Sequence, residues 1–275
     1  MGNKVAVVTG SYSGIGRELS RMLVAKGFDL VMINRNKAKG NEFGESLLRE
    51  YPNCSVDSYA ADLSVHQDIR DVAMAISSKY KVVDALFNNA GVLLSDKRMS
   101  KQENEMHFEV NTVAPFLLTK LLKPSLAKSG DAVVVTTGSG VRKMVKNLEL
   151  DSLRNPVTFK KMTGPYAQSK LAISSAFAGL SFEYQNENIR LVVVDMGPVK
   201  TAMSLSDGLP GWMKLFRPFF STPQKAAQKL LRSAFEQRTT SMSEADKKSL
   251  PDASIQKKLI GLLDDVTRQK NSAGT

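Results

Sequence analysis

The sequence predicts an α/β fold in which helices cover both faces of a parallel β-sheet. Short apolar runs recur between stretches with helical spacing, a glycine-rich turn directly follows the first run, and no internal repeat interrupts the pattern. The first run, 5–8, is apolar throughout, as is typical of a strand buried on both faces. Regular alternation of strands and helices indicates parallel strands joined by helical crossovers.

The periodicity predicts the bounds of each element. Strands are expected at 5–8, 30–33, 55–60, 85–87, 132–135 and 190–194, and helices from the glycine turn to Lys26, then to about Arg49, and at 65–79, 104–128 and 166–183. We expect residues 1–275 to form a single domain, because one core can be built from a chain of this length. A substrate lid is expected at about 202–222 and a helical C-terminal tail at about 242–275.

Composition excludes several classes of protein. The net charge of +11 is spread along the chain without a basic stretch interleaved with aromatics, so we expect no nucleic-acid partner, and the charge suits an anionic cofactor. No apolar run approaches the ~20 residues of a membrane span. The single cysteine, Cys54, excludes an internal disulfide and suits a reducing compartment. With the first strand starting at about Lys4 and no signal peptide expected, the predicted location is cytoplasmic.

Three glycines follow the first predicted strand and open a helix. Gly10 permits a sharp turn, Gly14 lets the backbone approach a pyrophosphate, and Gly16 allows close contact between helix and strand. The helix N-terminus offers N–H donors and a partial positive charge to phosphates. We therefore predict a dinucleotide site here, with further contacts from Ser11, Ser13 and Ile15.

The ends of the second and third strands report on the rest of the cofactor. After the second strand stand Asn34 and Arg35, with no acid to accept from a ribose 2′-hydroxyl, and a guanidinium can bind a 2′-phosphate. The predicted cofactor is therefore NADP(H). Arg17 could add charge there or be a solvated helix residue. Asp62 and Leu63 could contact the adenine ring; alternatively, Asp62 is a helix N-cap.

Tyr166 and Lys170 carry the predicted chemistry. They stand four positions apart on a predicted helix, so the phenol and the ammonium project from one face. A tyrosine pKa near 10 is too high for efficient proton transfer at neutral pH, and a nearby cation favours the phenolate. The spacing predicts a proton-transfer site.

With the glycine turn, the segment 88–91 and the Tyr166–Lys170 pair, residues 4 to about 235 resemble the short-chain dehydrogenase/reductase superfamily. The resemblance implies a Rossmann-type doubly wound parallel sheet flanked by helices on both faces. It implies that Asn89, Ala90 and Gly91 line the cofactor site. It also implies that Asn111 holds a water linking Lys170 to solvent, although a mid-helix asparagine satisfied by backbone is the alternative.

The family places a serine at the end of the fifth strand to bind the substrate carbonyl oxygen. Strand register puts Thr137 at that position, and we favour it; Ser139 could take the role if the strand end is bulged. After the sixth strand, residues 195–201 resemble the family's proline-glycine segment with the proline displaced. The resemblance assigns cofactor contacts to Pro198, Val199 and Thr201, the last to the nicotinamide carboxamide.

Segments 148–153, 217–227, 248–253 and 259–266 resemble the retinol dehydrogenase and WW-domain oxidoreductase branch and its relatives. Apolar residues in the predicted lid favour a hydrophobic substrate, although a stripe closing the core or contact with a membrane surface would also use them. These residues are Met203, Leu205, Leu209, Trp212, Met213, Leu215, Phe216 and Phe219.

The predicted activity is hydride transfer between NADP(H) and an apolar aldehyde or ketone, or the corresponding alcohol. The alternatives are reduction of a conjugated C=C bond, as in protochlorophyllide reductase, and a non-catalytic NADP(H)-sensing binding protein. His66 and His107 are expected at the surface or in helices, and no metal site is predicted. The resemblance also implies a homodimer or homotetramer.

Overall fold

The computed structural model describes residues 2–205, 207–211, 215–236 and 249–268. Its sheet has six parallel strands in the spatial order β3-β2-β1-β4-β5-β6. They are β1 (Val5–Thr9), β2 (Asp29–Asn34), β3 (Val56–Ala60), β4 (Ala85–Asn88), β5 (Ala132–Gly138) and β6 (Ile189–Asp195). The order reverses between β1 and β4, where ligands bind in sheets of this kind. The predicted doubly wound sheet is confirmed.

Helices pack on both faces of the sheet because successive strand side chains point to opposite sides. The helices are α1 (Gly14–Ala25), α2 (Lys37–Glu50), α3 (His66–Lys79), α4 (Met106–Phe108), α5 (Ala114–Ala127), α6 (Pro165–Gln185), α7 (Pro223–Phe235) and α8 (Ala253–Thr267). Val7 and Leu86 face a core closed by α3, α5 and α6, whereas Val8 and Phe87 face a core closed by α1, α2 and α7.

The region 104–128, predicted as one long helical region, is helical from Met106 to Ala127, but the sequence did not predict the π-helical turn within it. The short helix α4 begins at Met106, after Glu105 caps it, and a π-helical turn at Glu109–Val113 separates it from α5. The turn contains Asn111, whose amide bonds to both backbone groups of Val92. Helices that widen in this way often do so at functional sites, because the extra residue redirects side chains and frees a carbonyl.

The C-terminal helix α8 packs against α6. Leu259 and Leu263 are fully buried there, and Leu148 and Leu153 from the segment before α6 close the same cluster. Among the described residues, no helix is both long enough and apolar enough to cross a membrane. Of the predicted tail, 242–248 and 269–275 lie outside the described residues, and the single domain with its lid and tail stays a prediction.

Candidate active site

The glycine turn joins β1 to α1 in the shape that the sequence predicts. Gly10 and Gly14 have φ angles of +65° and +51°, a region in which residues with a side chain are strained. A Cβ on Gly16 would lie 2.0 Å from the Gly10 carbonyl oxygen, so only glycine lets the helix come this close. Ser13, the N-cap of α1, makes no capping bond with its side chain. The first N–H groups of α1 therefore have no side-chain cap, which suits a phosphate.

Two buried amides hold the turn from behind. Asn34 accepts from the Ser11 N–H over 2.9 Å and donates to the Ser11 hydroxyl over 2.8 Å, and it is only 2% exposed. Asn89 donates to the carbonyls of Thr9 and Gly10 over 3.0 and 3.3 Å. In the structure the side chains of both residues fix the turn, and their contact with the cofactor stays a prediction.

Arg35 follows Asn34 directly and is exposed at the carboxyl end of β2. Arg17 is exposed and lies over the Phe43 ring, with 5.5 Å between the guanidinium carbon and the ring centre. This packing links α1 to α2 near the turn. The edge beside the glycine turn thus carries arginines on two different elements.

Asp62 is not a helix N-cap, because Val65 holds that position for α3. Its carboxylate instead accepts from the N–H and the hydroxyl of Ser64 over 2.9 and 2.7 Å, closing a tight turn. Leu63 packs against the core and lines a small cavity with Ala90 and Val110 at the ends of the strands.

Lys170 lies buried at the centre of the site. Its Nζ donates to the Thr137 carbonyl over 2.8 Å. Gly91 lies beside both Lys170 and Asn111, and a Cβ on Gly91 would stand only 2.9 Å from Asn111 Oδ1. Burial lowers the pKa of Lys170 to about 8, and the Asp195 carboxylate partly opposes that shift. The ammonium is therefore charged at neutral pH but close to its titration point.

Ser139, rather than Thr137, stands beside the Tyr166 phenol. Burial raises the pKa of Tyr166, hydrogen bonding to the Ser139 side chain lowers it, and the charge of Asp195 raises it. The Thr137 hydroxyl is buried and faces the carbonyls of Asn88 and Asn89 at 3.4 and 3.5 Å. The strand runs on to Gly138, which brings the residue after its end to the phenol. The geometry thus reverses our preference for Thr137.

Asn111 anchors the loop after β4 to α6. Its Oδ1 accepts from the Val92 N–H over 2.9 Å, and its Nδ2 donates to the Val92 carbonyl and to the Ser169 hydroxyl over 3.0 and 3.2 Å. Ser169 directly precedes Lys170. The side chain of Asn111 is thus engaged within the protein, which leaves its backbone in the π-helical turn as the group that could hold a water.

His107 lies in a helix, one of the two places expected for it, and is buried against α6. Its ring meets the Tyr166 ring edge to face, with 5.8 Å between centres. Nε2 lies 2.9 Å from the Leu94 N–H, so it accepts, and Nδ1 lies 2.7 Å from the buried carboxylate of Glu105 and so donates. Spacing alone gave no sign of this pair, because Glu105 and His107 meet through a helix cap.

His66 forms a second buried pair, with Glu109 at 2.7 Å from Nε2. Glu109 also accepts from Ser100 and Asn104, so its carboxylate is fully hydrogen-bonded within the protein. Across the described ranges, no group of three His, Cys, Asp or Glu side chains is arranged to hold a metal ion.

The segment after β6 returns to the glycine turn. Val199 pairs with Ser221, and Thr201 brings its methyl group against Gly14, where a Cβ would stand 3.3 Å away. Pro198 accepts from the Ser221 N–H over 3.0 Å. Thr201 therefore lies next to the glycine turn. This position agrees with the cofactor contact that the family resemblance implies for it.

An apolar cluster covers Tyr166 from the side of the predicted lid. Leu93, Met162, Leu209 and Phe220 are buried together, with Tyr166 packed against them. Val141 and Met203 complete the cluster. Leu205, Leu215, Phe216 and Phe219 are instead exposed, and Trp212 and Met213 lie outside the described residues. Part of the predicted lid thus faces the site and part faces solvent.

Sequence reasoning also missed a buried ion pair next to the site. Arg142, in the 3-10 turn after β5, is 2% exposed and lies 3.2 Å from the Asp195 carboxylate at the end of β6. In the sequence, the only sign of this pair is an arginine shortly after the fifth strand and an aspartate at the end of the sixth. Only the parallel register, which pairs Gly138 with Asp195, brings the two together.

This sheet, a glycine turn for a dinucleotide and a Tyr–Lys pair beside a serine define an oxidoreductase that uses a nicotinamide cofactor. The family model for short chain dehydrogenase matches residues 4–150. The chain is 30% identical to human polyprenol dehydrogenase, over 82% of this chain and 70% of the relative. It therefore belongs to the short-chain dehydrogenase/reductase family.

The other relatives indicate the branch. Mouse retinol dehydrogenase 12 is 29% identical, over 84% of this chain and 73% of the relative, and bovine dehydrogenase/reductase SDR family member 13 is 30% identical over 85% and 63%. The retinol dehydrogenase-like branch is confirmed. Among solved structures, a short-chain dehydrogenase from Sphingobium yanoikuyae in complex with NADPH covers 99% of this chain and 98% of its own, with a TM-score of 0.68 and 20% identity. That likeness supports the fold.

Proposed function

We propose that the protein interconverts an apolar aldehyde or ketone and its alcohol, with NADP(H) as cofactor. The observation that carries the proposal is the group formed by Tyr166, Lys170 and Ser139 beneath an apolar cluster. Two neighbouring hydroxyls, those of Tyr166 and Ser139, can both donate hydrogen bonds to one substrate carbonyl oxygen.

NADP(H) is favoured over NAD(H) by charge at the end of β2. Arg35 is exposed there and the strand end carries no acid, so a 2′-phosphate would meet a cation and no carboxylate. Several solved structures of this fold hold NADP or NADPH, which agrees with this proposal, and one holds NADH. The glycine turn fits the pyrophosphate, because its close approach excludes side chains and the first turn of α1 lacks a side-chain cap.

The roles of the chain's own residues follow. The cofactor supplies or accepts the hydride at the substrate carbon. Ser139 donates a hydrogen bond to the carbonyl oxygen, Tyr166 gives it a proton during reduction and takes one during oxidation, and Lys170 favours the phenolate through its charge. Leu93, Met162 and Phe220 exclude water and favour an apolar substituent.

The alternative of C=C reduction remains a prediction without a supporting contact, and a purely sensing protein would not need Tyr166 and Lys170 on one face of α6. A cytoplasmic location and a homodimer or homotetramer likewise stay predictions from the sequence. The relatives act, by name, on polyprenol and on retinol, both long apolar alcohols. This agrees with the apolar cluster over Tyr166.

The test is a turnover screen of apolar aldehydes, ketones and alcohols, each with NADPH/NADP+ and NADH/NAD+. We expect turnover of at least one apolar carbonyl with NADPH and a loss of roughly 10²–10⁴-fold in Tyr166→Phe, the usual range for a lost acid–base group. Equal activity of the Tyr166→Phe protein would exclude the assigned chemistry, and a clear preference for NADH would overturn the cofactor.

A further inference from the structure

The ends of β5 and β6 bring a buried cation and a carboxylate beside the catalytic group. Gly138 and Asp195 are register partners, and a Cβ on Gly138 would lie 2.5 Å from Asp195 Oδ1. Gly138 stands between Thr137, whose carbonyl holds Lys170, and Ser139, which interacts with Tyr166. The Asp195 carboxylate therefore lies against Gly138, the residue between the one that holds Lys170 and the one that contacts Tyr166.

Arg142 faces this carboxylate from the turn after Ser139. Its Nη2 lies 3.2 Å from Asp195 Oδ2, and its Nη1 donates to the Ser249 hydroxyl over 2.8 Å. The arginine is almost fully buried, whereas the carboxylate is 27% exposed. Burying a guanidinium removes it from water and lowers the stability of the fold unless a carboxylate pairs with it. Pairing with Asp195 offsets this desolvation penalty for Arg142.

We propose that Arg142 and Asp195 form a positioning pair for the catalytic group, in which Asp195 presents negative charge to Tyr166 and Lys170 and Arg142 offsets it. The pair acts through Tyr166 and touches no substrate. This inference rests on the proposed role of Tyr166 as the proton-transfer group, and it adds the element that sets how readily the phenol ionises.

Other charges face the same groups and define the background. Lys229 on α7 donates to the main-chain carbonyl of Asp195 over 2.5 Å, and Lys170 stands on the same helix as Tyr166. From α4, the hydrogen-bonded Glu105–His107 pair reaches the opposite edge of Tyr166. The substitutions below replace none of these side chains. Lys170 alone responds to them, because the Asp195 carboxylate raises its pKa.

The two partners have opposite predicted effects. Asp195→Asn removes a negative charge near the phenol, favours the phenolate and moves the titration of Tyr166 to lower pH, by less than the ~1–3 units that a charge in direct contact produces. Arg142→Gln leaves the carboxylate without its cation and moves the titration to higher pH. The double variant returns towards the wild type. A purely structural lesion has no reason to change sign between partners.

The experiment follows the Tyr166 Cζ resonance in protein carrying ¹³C-tyrosine, assigned with Tyr166→Phe, against pH. The acid limb of the kcat/KM profile for alcohol oxidation is measured in parallel. Arg21→Gln and Glu50→Gln, which break an exposed ion pair between α1 and α2, serve as controls and should leave both readouts unchanged.

Opposite shifts in the two single variants support the pair. A folded Asp195→Asn protein with an unchanged Tyr166 titration overturns it, and this isosteric variant keeps the test decisive even if Arg142→Gln does not fold. The phenol titration needs no substrate, so an absence of carbonyl turnover would count against the proposed function alone.

Discussion

Lys170 donates from Nζ to the main-chain carbonyl of Thr137 over 2.8 Å, in a fully buried environment. The bond ties the catalytic helix α6 to the end of β5, directly before the glycine and the serine that complete the site. It satisfies one of the three donors of the ammonium, and burial lowers its pKa to about 8. The position of Lys170 therefore costs stability while it serves the chemistry.

The first prediction concerns that cost. An unfolded lysine has a pKa near ~10.4. Between about 8 and that value the unfolded chain keeps a proton that the folded chain has released. The penalty is complete below pH 8 and is relieved as pH rises through this window. We expect the free energy of unfolding of the wild type, relative to Lys170→Met, to increase by about 2–3 kcal/mol between pH 7 and 10, at ~1.4 kcal/mol per pKa unit.

Urea denaturation of both proteins at pH 7, 8, 9 and 10 measures this difference. Lys128→Met, at an exposed position after α5, is the control and should show no comparable trend. If the difference in free energy of unfolding between the wild type and Lys170→Met stays constant from pH 7 to 10, the low pKa of Lys170 is contradicted.

The second prediction separates Ser139 from Thr137. Ser139→Ala removes the hydroxyl that interacts with the phenol and should lower kcat/KM for an apolar carbonyl by roughly 10²-fold or more, as loss of a donor to a developing oxyanion does. Thr137→Val removes only long contacts with backbone carbonyls and should cost less than about tenfold. Steady-state kinetics of both variants decide the assignment, and the reverse ranking would restore Thr137.

The difficulty of choosing between these two residues shows what the sequence can specify. The glycine turn and the Tyr166–Lys170 pair each lie within one local element, so spacing alone predicts their geometry. The end of β5 is different: Thr136 and Thr137 end the apolar run, and the strand was predicted to stop at Val135. It continues to Gly138 because the register with β6 continues and Asn88 donates to the Thr136 hydroxyl.

Features that join distant segments were missed for the same reason. Arg142 and Asp195 meet only through the pairing of β5 with β6, and His107 meets Tyr166 across two helices that lie far apart in the sequence. A helical pattern over 104–128 carries no mark of the extra residue in that turn. The interior strands β2, β1, β4 and β5 were predictable, because burial on both faces leaves apolar runs. The edge strand β3 is only half-buried and mixes Asp57 and Ser58 with apolar residues, so its pattern is weaker.

The third prediction tests the close approach at the glycine turn. In Gly16→Ala, the new Cβ would meet the Gly10 carbonyl oxygen at 2.0 Å and Asn89 Nδ2 at 2.6 Å, so backbone must shift. We expect a loss of about 1–3 kcal/mol in the free energy of unfolding, the usual cost of overpacking, together with weaker cofactor binding. The matched control is Gly261→Ala in α8, which meets nothing within 4 Å and should gain about 0.5–1 kcal/mol from helix propensity. Chemical denaturation of both variants gives the comparison; a neutral Gly16→Ala would contradict the packing.

The last prediction concerns the choice of cofactor. In Arg35→Asp, the cation at the end of β2 becomes the acid that binds a ribose 2′-hydroxyl in NAD-specific sites. A charge-assisted hydrogen bond is worth about 1.5–3 kcal/mol, so KM for NADPH should rise roughly 10–100-fold while KM for NADH stays equal or falls. Arg49→Asp removes an exposed cation from the far end of α2 and controls for the change in net charge. Arg49→Asp changes the long-range attraction between the protein and the anionic cofactor by the same amount. A similar rise in KM for NADPH in both variants would therefore show that Arg35 acts only through the overall positive charge. The direct contact with a 2′-phosphate would then be rejected.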